Sequence, residues 1–226
     1  RISLRSHRLA AGDRGRAQGD IVPIEIAQEG QKKAFATKDE GIRLDCTPEK
    51  LASLAPAFKS EKMKLRFPEI DWRITAGSSS QVTDGASAML IVEESVALKL
   101  GLRPRAYITH FAVDGDDPVL MLAGVIPATR KLLERAGIDI GDIDVYEVNE
   151  AFASVPLAWE RELRTDPEKL NVYGGAIALG HPVGASGGRL VANLLAALEE
   201  RAGRYGLVTM CESGGMANAT LIERFA

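Results

Sequence analysis

The sequence predicts a layered α/β protein built around a buried mixed sheet. Three observations point there. In the second half of the 226 residues, helical segments alternate with apolar strands. The last two strand candidates, YGLVTMC and MANATLIERF, are joined across Ser213, Gly214 and Gly215 in the manner of an antiparallel hairpin. At 46% hydrophobic residues, the chain can fill one large core or two modest ones.

The elements follow in order. RISLRSHRLAAGDRG has helical spacing and no signal-peptide core, and IVPIEI (21–26) alternates like a short strand. The polar stretch QEGQKKAFATKDEG separates it from TPEKLASLAPAF. There Thr47 reads as an N-cap and Pro48 as the first helical residue, with Leu51, Leu54 and Phe58 on one face. Residues 59–72 are charged and irregular and read as a surface loop. TAGSSSQVTDGASAMLIVEE reads as a Gly/Ser turn feeding a short helix and then a strand at 88–92. SVALKLGL is a helix closed by Gly101, and RAYITHFAVDG is a strand. DDP at 116–118 breaks the pattern ahead of the helix MLAGVIPATRKLLERAG. Strand DIDVYEVN, helix EAFASVPLAWEREL, a glycine-rich segment and helix GGRLVANLLAALEERAG lead to the final hairpin.

Composition excludes several classes. The net charge of −3 asks for neither nucleic acid nor an anionic membrane as partner. Local basic clusters, Arg1, Arg5, Arg8, Arg14 and Arg16, then Lys59, Lys62, Lys64 and Arg66, fit a solvated face or a site for an anion. Apolar runs such as AMLIV and LVANLLAAL fall short of the roughly 20 residues of a membrane-spanning helix. Two cysteines make no disulfide framework, no Cys/His spacing suggests zinc or another metal, and a reducing, cytoplasmic compartment fits best.

The chemistry concentrates in four residues. In GGAIALGHPVGASGG, glycines flank His181 and Pro182 fixes the turn beside it, yet the segment matches neither the P-loop nor GxGxxG. His181 reads either as a pre-placed functional imidazole or as a side chain that caps the next helix or satisfies the core. Cys211 ends a strand just before a Gly-Gly turn. An inert buried thiol competes with a reactive one served by the turn's N–H groups. Asn149 stands between strand and helix, suited to an N-cap or to holding a water or carbonyl in an oxyanion hole. Cys46 precedes a helix start whose dipole could lower its pKa, but it has no glycine or histidine context and reads as structural.

EVNEAFA at 147–153, GGAIALGHPVGASG at 174–187 and CESGGMANA at 211–219, in that order, closely resemble the thiolase family. SLRSHRLA, EGIRLDCTPEKLASLAPAF and TAGSSSQVTDGASA extend the resemblance nearly end to end. It implies a thiolase-like layered α/β sandwich and an acyl-CoA acetyltransferase, exchanging 3-ketoacyl-CoA plus CoA with acetyl-CoA plus a shortened acyl-CoA. By motif match, Cys211 is the acid/base at the α-carbon of acetyl-CoA. His181 activates the nucleophile and, with a water held by Asn149, stabilises the enolate oxygen. Ser80 matches a pantetheine contact, Arg43 a residue near the adenine, and Phe152 and Met121 the acyl pocket, although each could equally be packing.

The chain departs from the family pattern in three ways. Ser213 replaces a glycine whose N–H helps form a second oxyanion hole, and Ser still carries that N–H. MLAGV stands for MGxGP and Tyr173 for an asparagine, which imply a different acyl pocket or subfamily. Neither Cys46 nor Cys211 matches the acyl-carrying nucleophile. The resemblance therefore divides the chain into a loop-domain remainder (1–72), the last part of an N-terminal domain (73–117) and a full C-terminal domain (118–226). Two functions of different class follow: part of an active thiolase, or a degenerate CoA-ester-binding protein or subunit without catalysis of its own. No permanently bound cofactor is expected beyond CoA and acyl-CoA as substrates. A missing N-terminal segment, in cis or as a separate chain, and a homodimer or homotetramer are the expected partners.

Overall fold

The computed structural model describes residues 2–11, 21–26 and 34–225. Arg1, Arg14 and Arg16 of the first basic cluster lie outside the described residues. Helix α1 (Ile2–Ala11) buries Ile2, Ser6, His7 and Ala10. β1 (Ile24–Ile26) pairs antiparallel with β2 (Ala34–Ala36), a strand that its polar surroundings conceal in the sequence.

Thr47 caps α2 (Pro48–Ala52) as expected, its hydroxyl accepting from Lys50 N at 3.3 Å. The helix stops well before Phe58, because Pro56 has no N–H to donate and forces Ala55 out of the helical region. Ala57 N donates to Ile74 O instead (2.7 Å), and Phe58 leaves the turn with φ 61°. The stretch read as a loop contains α3 (Glu61–Arg66), capped by the Ser60 hydroxyl, with Lys64 paired to Glu61.

The expected short helix and strand before residue 93 are absent. Residues 79–93 run without regular structure, and Leu90 and Ile91 are 75% and 66% exposed. An apolar run becomes a strand only beside a neighbour that takes its hydrogen bonds, and no described strand lies there. α4 (Glu94–Lys99) then forms as read, followed by Gly101 at φ 65°.

The rest is the expected layered α/β arrangement. β3 (Ala106–Gly115), β4 (Val145–Val148), β5 (Tyr205–Cys211) and β6 (Met216–Arg224) form one mixed sheet in the order β3-β6-β5-β4. β4 runs parallel to β5, and β6 is antiparallel to both of its neighbours, so the predicted final hairpin is present. The strand ahead of the Asp116–Pro118 break therefore shares a sheet with the last strand of the chain.

Side chains alternate across the strands and fill two cores. One face packs Tyr146, Val148, Leu207 and Leu221 against α5 (Val125–Ala136) and α6 (Ser154–Leu163), with Leu132 and Trp159 fully buried. There Trp159 Nε1 donates to Thr129 Oγ1 at 2.9 Å. The other face packs Val145, Val208 and Ile222 against Leu190, Leu194 and Leu198 of α8 (Ser186–Arg201). A short helix, α7 (Ala176–Leu179), lies between α6 and α8. β3 is an edge strand among the described residues. Lys131 Nζ and Arg135 Nη1, one turn apart on α5, donate to its Val113 and Phe111 carbonyls (3.0 and 3.1 Å).

Leu194 is 0% exposed at the centre of the α8 layer. Leu194→Ala should cost about 2–5 kcal/mol in a urea melt, since the sheet beneath collapses only partly into the cavity. An unchanged midpoint would contradict this packing.

Candidate active site

The parallel pair β4 and β5 ends at one edge of the sheet. Asn149, directly after β4, donates its N–H to Thr209 O of β5 at 3.1 Å, and Cys211 ends β5 two residues later. This hydrogen bond brings two of the expected residues side by side. Asn149 is 1% exposed, and neither polar atom of its side chain has a hydrogen-bond partner among the described residues. It is not a helix N-cap, because α6 starts only at Ser154 behind Ala153. The expected helix begins late for a definite reason: residues 151–153 are engaged by the chain at 78–80. Ser80 N donates to Ala151 O (3.0 Å) and Ala153 N donates to Ser78 O (2.8 Å).

That pairing sets Ser80 and Phe152 beside the Asn149 turn, and the Phe152 ring meets Phe58 edge-on at 6.0 Å. Met121, at φ 58°, touches the Ser213 hydroxyl through its sulfur (4.0 Å). Ser213 is not among the residues with positive φ, so a serine fits its backbone; Gly214 and Gly215 take the left-handed conformations at φ 81° and 90°. Arg43 stands apart on the α1 side, exposed, its backbone N–H donating to His7 Nδ1 at 3.1 Å.

His181 lies in a turn between two helices, α7 and α8. Its N–H donates to Gln81 O (2.9 Å), and its Nδ1 lies 2.7 Å from Ser186 Oγ in the first turn of α8. The Ser186 hydroxyl donates to Pro182 O (2.9 Å), so its one proton is spent and it accepts from His181 Nδ1–H. In that tautomer Nε2 keeps its lone pair and is the basic nitrogen of the ring. Gly187, next to Ser186, packs near the Met210 sulfur, which puts the start of α8 beside the end of β5.

The glycines make room for packing more than they expose the histidine. A Cβ on Gly175 would overlap the Glu150 carboxyl, and Gly180, at φ 86°, lies against Thr83. Glu150 is the hub of this floor: it accepts from Ser6 Oγ (2.9 Å), Asn171 Nδ2 (3.1 Å) and Ile177 N (3.1 Å). Ser186, Glu150 and Glu147 escaped the sequence reading. A charged residue inside an otherwise apolar strand was the available signal for Glu147.

Electrostatics separate the titrating groups. Burial pushes the Cys211 thiol up to about 11, so it holds its proton at neutral pH. Burial, with Arg189 second, holds His181 below the ordinary histidine value. At Cys46, which reads as structural from the sequence, burial first and then Asp45 raise the thiol, and the five-residue α2 is too short to compensate.

The chain matches two family models, that of the thiolase N-terminal domain over residues 1–95 and that of the thiolase C-terminal domain over residues 102–224. It is 46% identical over 226 residues to a steroid 3-ketoacyl-CoA thiolase of Mycobacterium tuberculosis, covering 99% of this chain and 51% of that protein. It is 40% identical over 224 residues to a probable acetyl-CoA acyltransferase of Staphylococcus aureus, covering 99% and 54%. The crystal structure of a Bacillus anthracis acetyl-CoA acetyltransferase superposes with a TM-score of 0.87 at 40% identity, covering 99% of this chain and 55% of that one. Human mitochondrial 3-ketoacyl-CoA thiolase gives 0.85 at 37% identity, covering 99% and 54%. The chain thus spans about half the length of the relatives it matches.

Two outcomes test this geometry. In a Cys46→Ser background, iodoacetamide labelling of Cys211 should be slow at neutral pH and still accelerate above 9.0, the ordinary thiol value, toward about 11; a plateau below 9.0 would contradict the burial argument. In Ser186→Ala, ¹⁵N spectra should show the His181 ring losing its single Nδ1–H tautomer, whereas an unaltered tautomer signature would remove Ser186 from the assignment.

Proposed function

The chain belongs to the thiolase family, and from that premise we propose that it carries the acid/base machinery of an acyl-CoA acetyltransferase that cleaves 3-ketoacyl-CoA with CoA, or condenses acyl-CoA esters in reverse. The observation that carries this reading is a proton-loaded thiol at the end of β5, beside an unpartnered buried amide at the end of β4.

In cleavage, an acyl-carrying cysteine gives its proton to His181 Nε2 and attacks the 3-keto carbon. The bond between C2 and C3 breaks, and its electrons leave as the enolate of acetyl-CoA. Asn149, through a water, and the newly protonated His181 donate to that enolate oxygen. Cys211 delivers its thiol proton to the enolate carbon, and acetyl-CoA departs. The Cys211 thiolate then takes the proton of incoming CoA, whose sulfur attacks the acyl-cysteine; the carrier cysteine leaves as the shortened acyl-CoA forms and takes its proton back from His181. A thiol with a raised pKa suits the first of these two roles at rest, because it is always loaded.

Ser80 is assigned to the pantetheine arm, Arg43 to the adenine, Phe152 and Met121 to the acyl pocket, and the Ser213 N–H to a second oxyanion hole. Neither Cys46 nor Cys211 is assigned as the acyl carrier, which we place in residues outside this 226-residue sequence. The half-length match to relatives supports that placement. Two unbridged cysteines fit a cytoplasmic protein, and we take the working unit to be a homo-oligomer. Among the described residues, no helix is long and apolar enough to cross a membrane.

The test is thiolysis of acetoacetyl-CoA by the intact protein. Cys211→Ala should lower kcat by about 10²–10⁴ while CoA binding persists. Saturable CoA binding without turnover in the unmutated protein would overturn the enzyme reading in favour of a CoA-ester-binding protein.

A further inference from the structure

Gln81 follows Ser80 in a segment without regular structure, and the proposed chemistry makes no use of its side chain. Its place is nonetheless fixed by hydrogen bonds on several sides. α7 ends at Leu179, and Gly180, at φ 86°, turns the chain away from the helix. In one more helical turn the His181 N–H would bond to Ile177 O, four residues back. Gln81 stands in for that turn on both sides. Its backbone O accepts from His181 N (2.9 Å), and its side-chain Nε2 donates to Ile177 O (3.0 Å) and lies 3.1 Å from Ala178 O. The Thr83 hydroxyl donates to the same Gln81 O at 3.1 Å.

A further contact leads out of the site. Gln81 Nε2 lies 2.9 Å from Gly41 O, the shortest of its three contacts, so two N–H groups are shared among three carbonyls. Gly41 lies directly on the end of α7: a Cβ there would be 3.4 Å from Ala178 O and 3.7 Å from Gln81 Nε2. The loop is held on both sides of this contact. Asp39 Oδ1 accepts from Gly41 N (2.7 Å), and Arg43 N donates to His7 Nδ1 (3.1 Å) on the buried face of α1. Arg43, which stands apart from the site, is therefore joined to the His181 turn through the Gln81 side chain. On the other flank of Gln81, Ser80 N is bonded to Ala151 O, just beyond Asn149. Glutamine suits this place because its carboxamide brings two N–H donors without a charge; glutamate has the shape and neither donor.

We propose that Gln81 is a positioning residue that fixes residues 41–43 to the His181 turn, so that a CoA thioester held at its nucleotide by Arg43 and along its pantetheine arm by Ser80 presents its carbonyl to the imidazole. The proposal rests on the assignment of Arg43 to the adenine. Ser80 and Gln81 then divide the work: the first meets the ligand, and the second sets the distance between the places that hold its two ends.

The experiment compares CoA with pantetheine, which lacks the nucleotide, on the intact protein: by calorimetry as free ligands, and by thiolysis as their acetoacetyl thioesters. In Gln81→Leu the CoA Kd, and the KM of the CoA thioester, should rise about fivefold to tenfold, as expected for one lost hydrogen bond, while the pantetheine values stay within about twofold. Gln81→Glu should match Gln81→Leu. In an Arg43→Ala background, Gln81→Leu should weaken CoA binding by less than about twofold further, because it acts through Arg43. Equal losses with CoA and pantetheine overturn the proposal alone, as does an unchanged CoA affinity in folded Gln81→Leu when Arg43→Ala weakens it. Unchanged CoA affinity in Arg43→Ala overturns the nucleotide assignment and the proposal with it. A CoA-selective loss of binding in Gln81→Leu, with no turnover in any of the proteins, keeps Gln81 as the positioning residue and overturns the acyltransferase reading. Should Gln81→Leu fail to fold, Gln81→Glu gives the same comparison.

Discussion

The parallel pairing of β4 with β5 is the constraint on which the rest depends. Parallel neighbours end at the same edge of a sheet, so the segments that follow them are delivered to one place whatever their sequence. Here those segments begin with Asn149 and end in Cys211, locked together by the bond from Asn149 N to Thr209 O. α8 covers the same face, and its first turn carries the Ser186 hydroxyl that orients His181. Asn149 and Cys211, some sixty positions apart, are thus neighbours because two strands point the same way.

Glu150 explains why the convergence is stable. Its carboxyl collects donors from α1, from Asn171 and from the start of α7, joining residues as distant as Ser6 and Ile177. Gly175 leaves the space that this carboxyl fills, and a larger residue there would push it away from its donors. The glycine-rich segment therefore serves the floor of the site before it serves the ligand. One buried carboxylate ties the first helix to the last third of the chain.

The sequence made the second half of the fold legible because each element there carries its own signal: period-two strands, an amphipathic α5 ended by Gly137 at φ 66°, a Gly-Gly hairpin turn. It misled at 88–92, where an apolar run has no described neighbour to pair with, and at β2 and α3, whose few residues are decided by capping and pairing rather than periodicity. In the site, His181, Cys211 and Asn149 stood out by their glycine and strand-end settings. Ser186 and Glu147 did not, because their meaning depends on which face of β4 meets which turn of α8, a relation between segments forty residues apart.

Lys131 and Arg135 give the sheet a boundary. By filling the Val113 and Phe111 carbonyls of β3, they occupy the acceptors that a foreign strand would need in order to add itself. Invasion from that side would have to displace two cations already bonded, and would strand them against an apolar strand. Among the described residues, the β3 edge of the sheet is thus guarded against templating by another chain, and the guard is supplied by the helix that also closes one of the two cores.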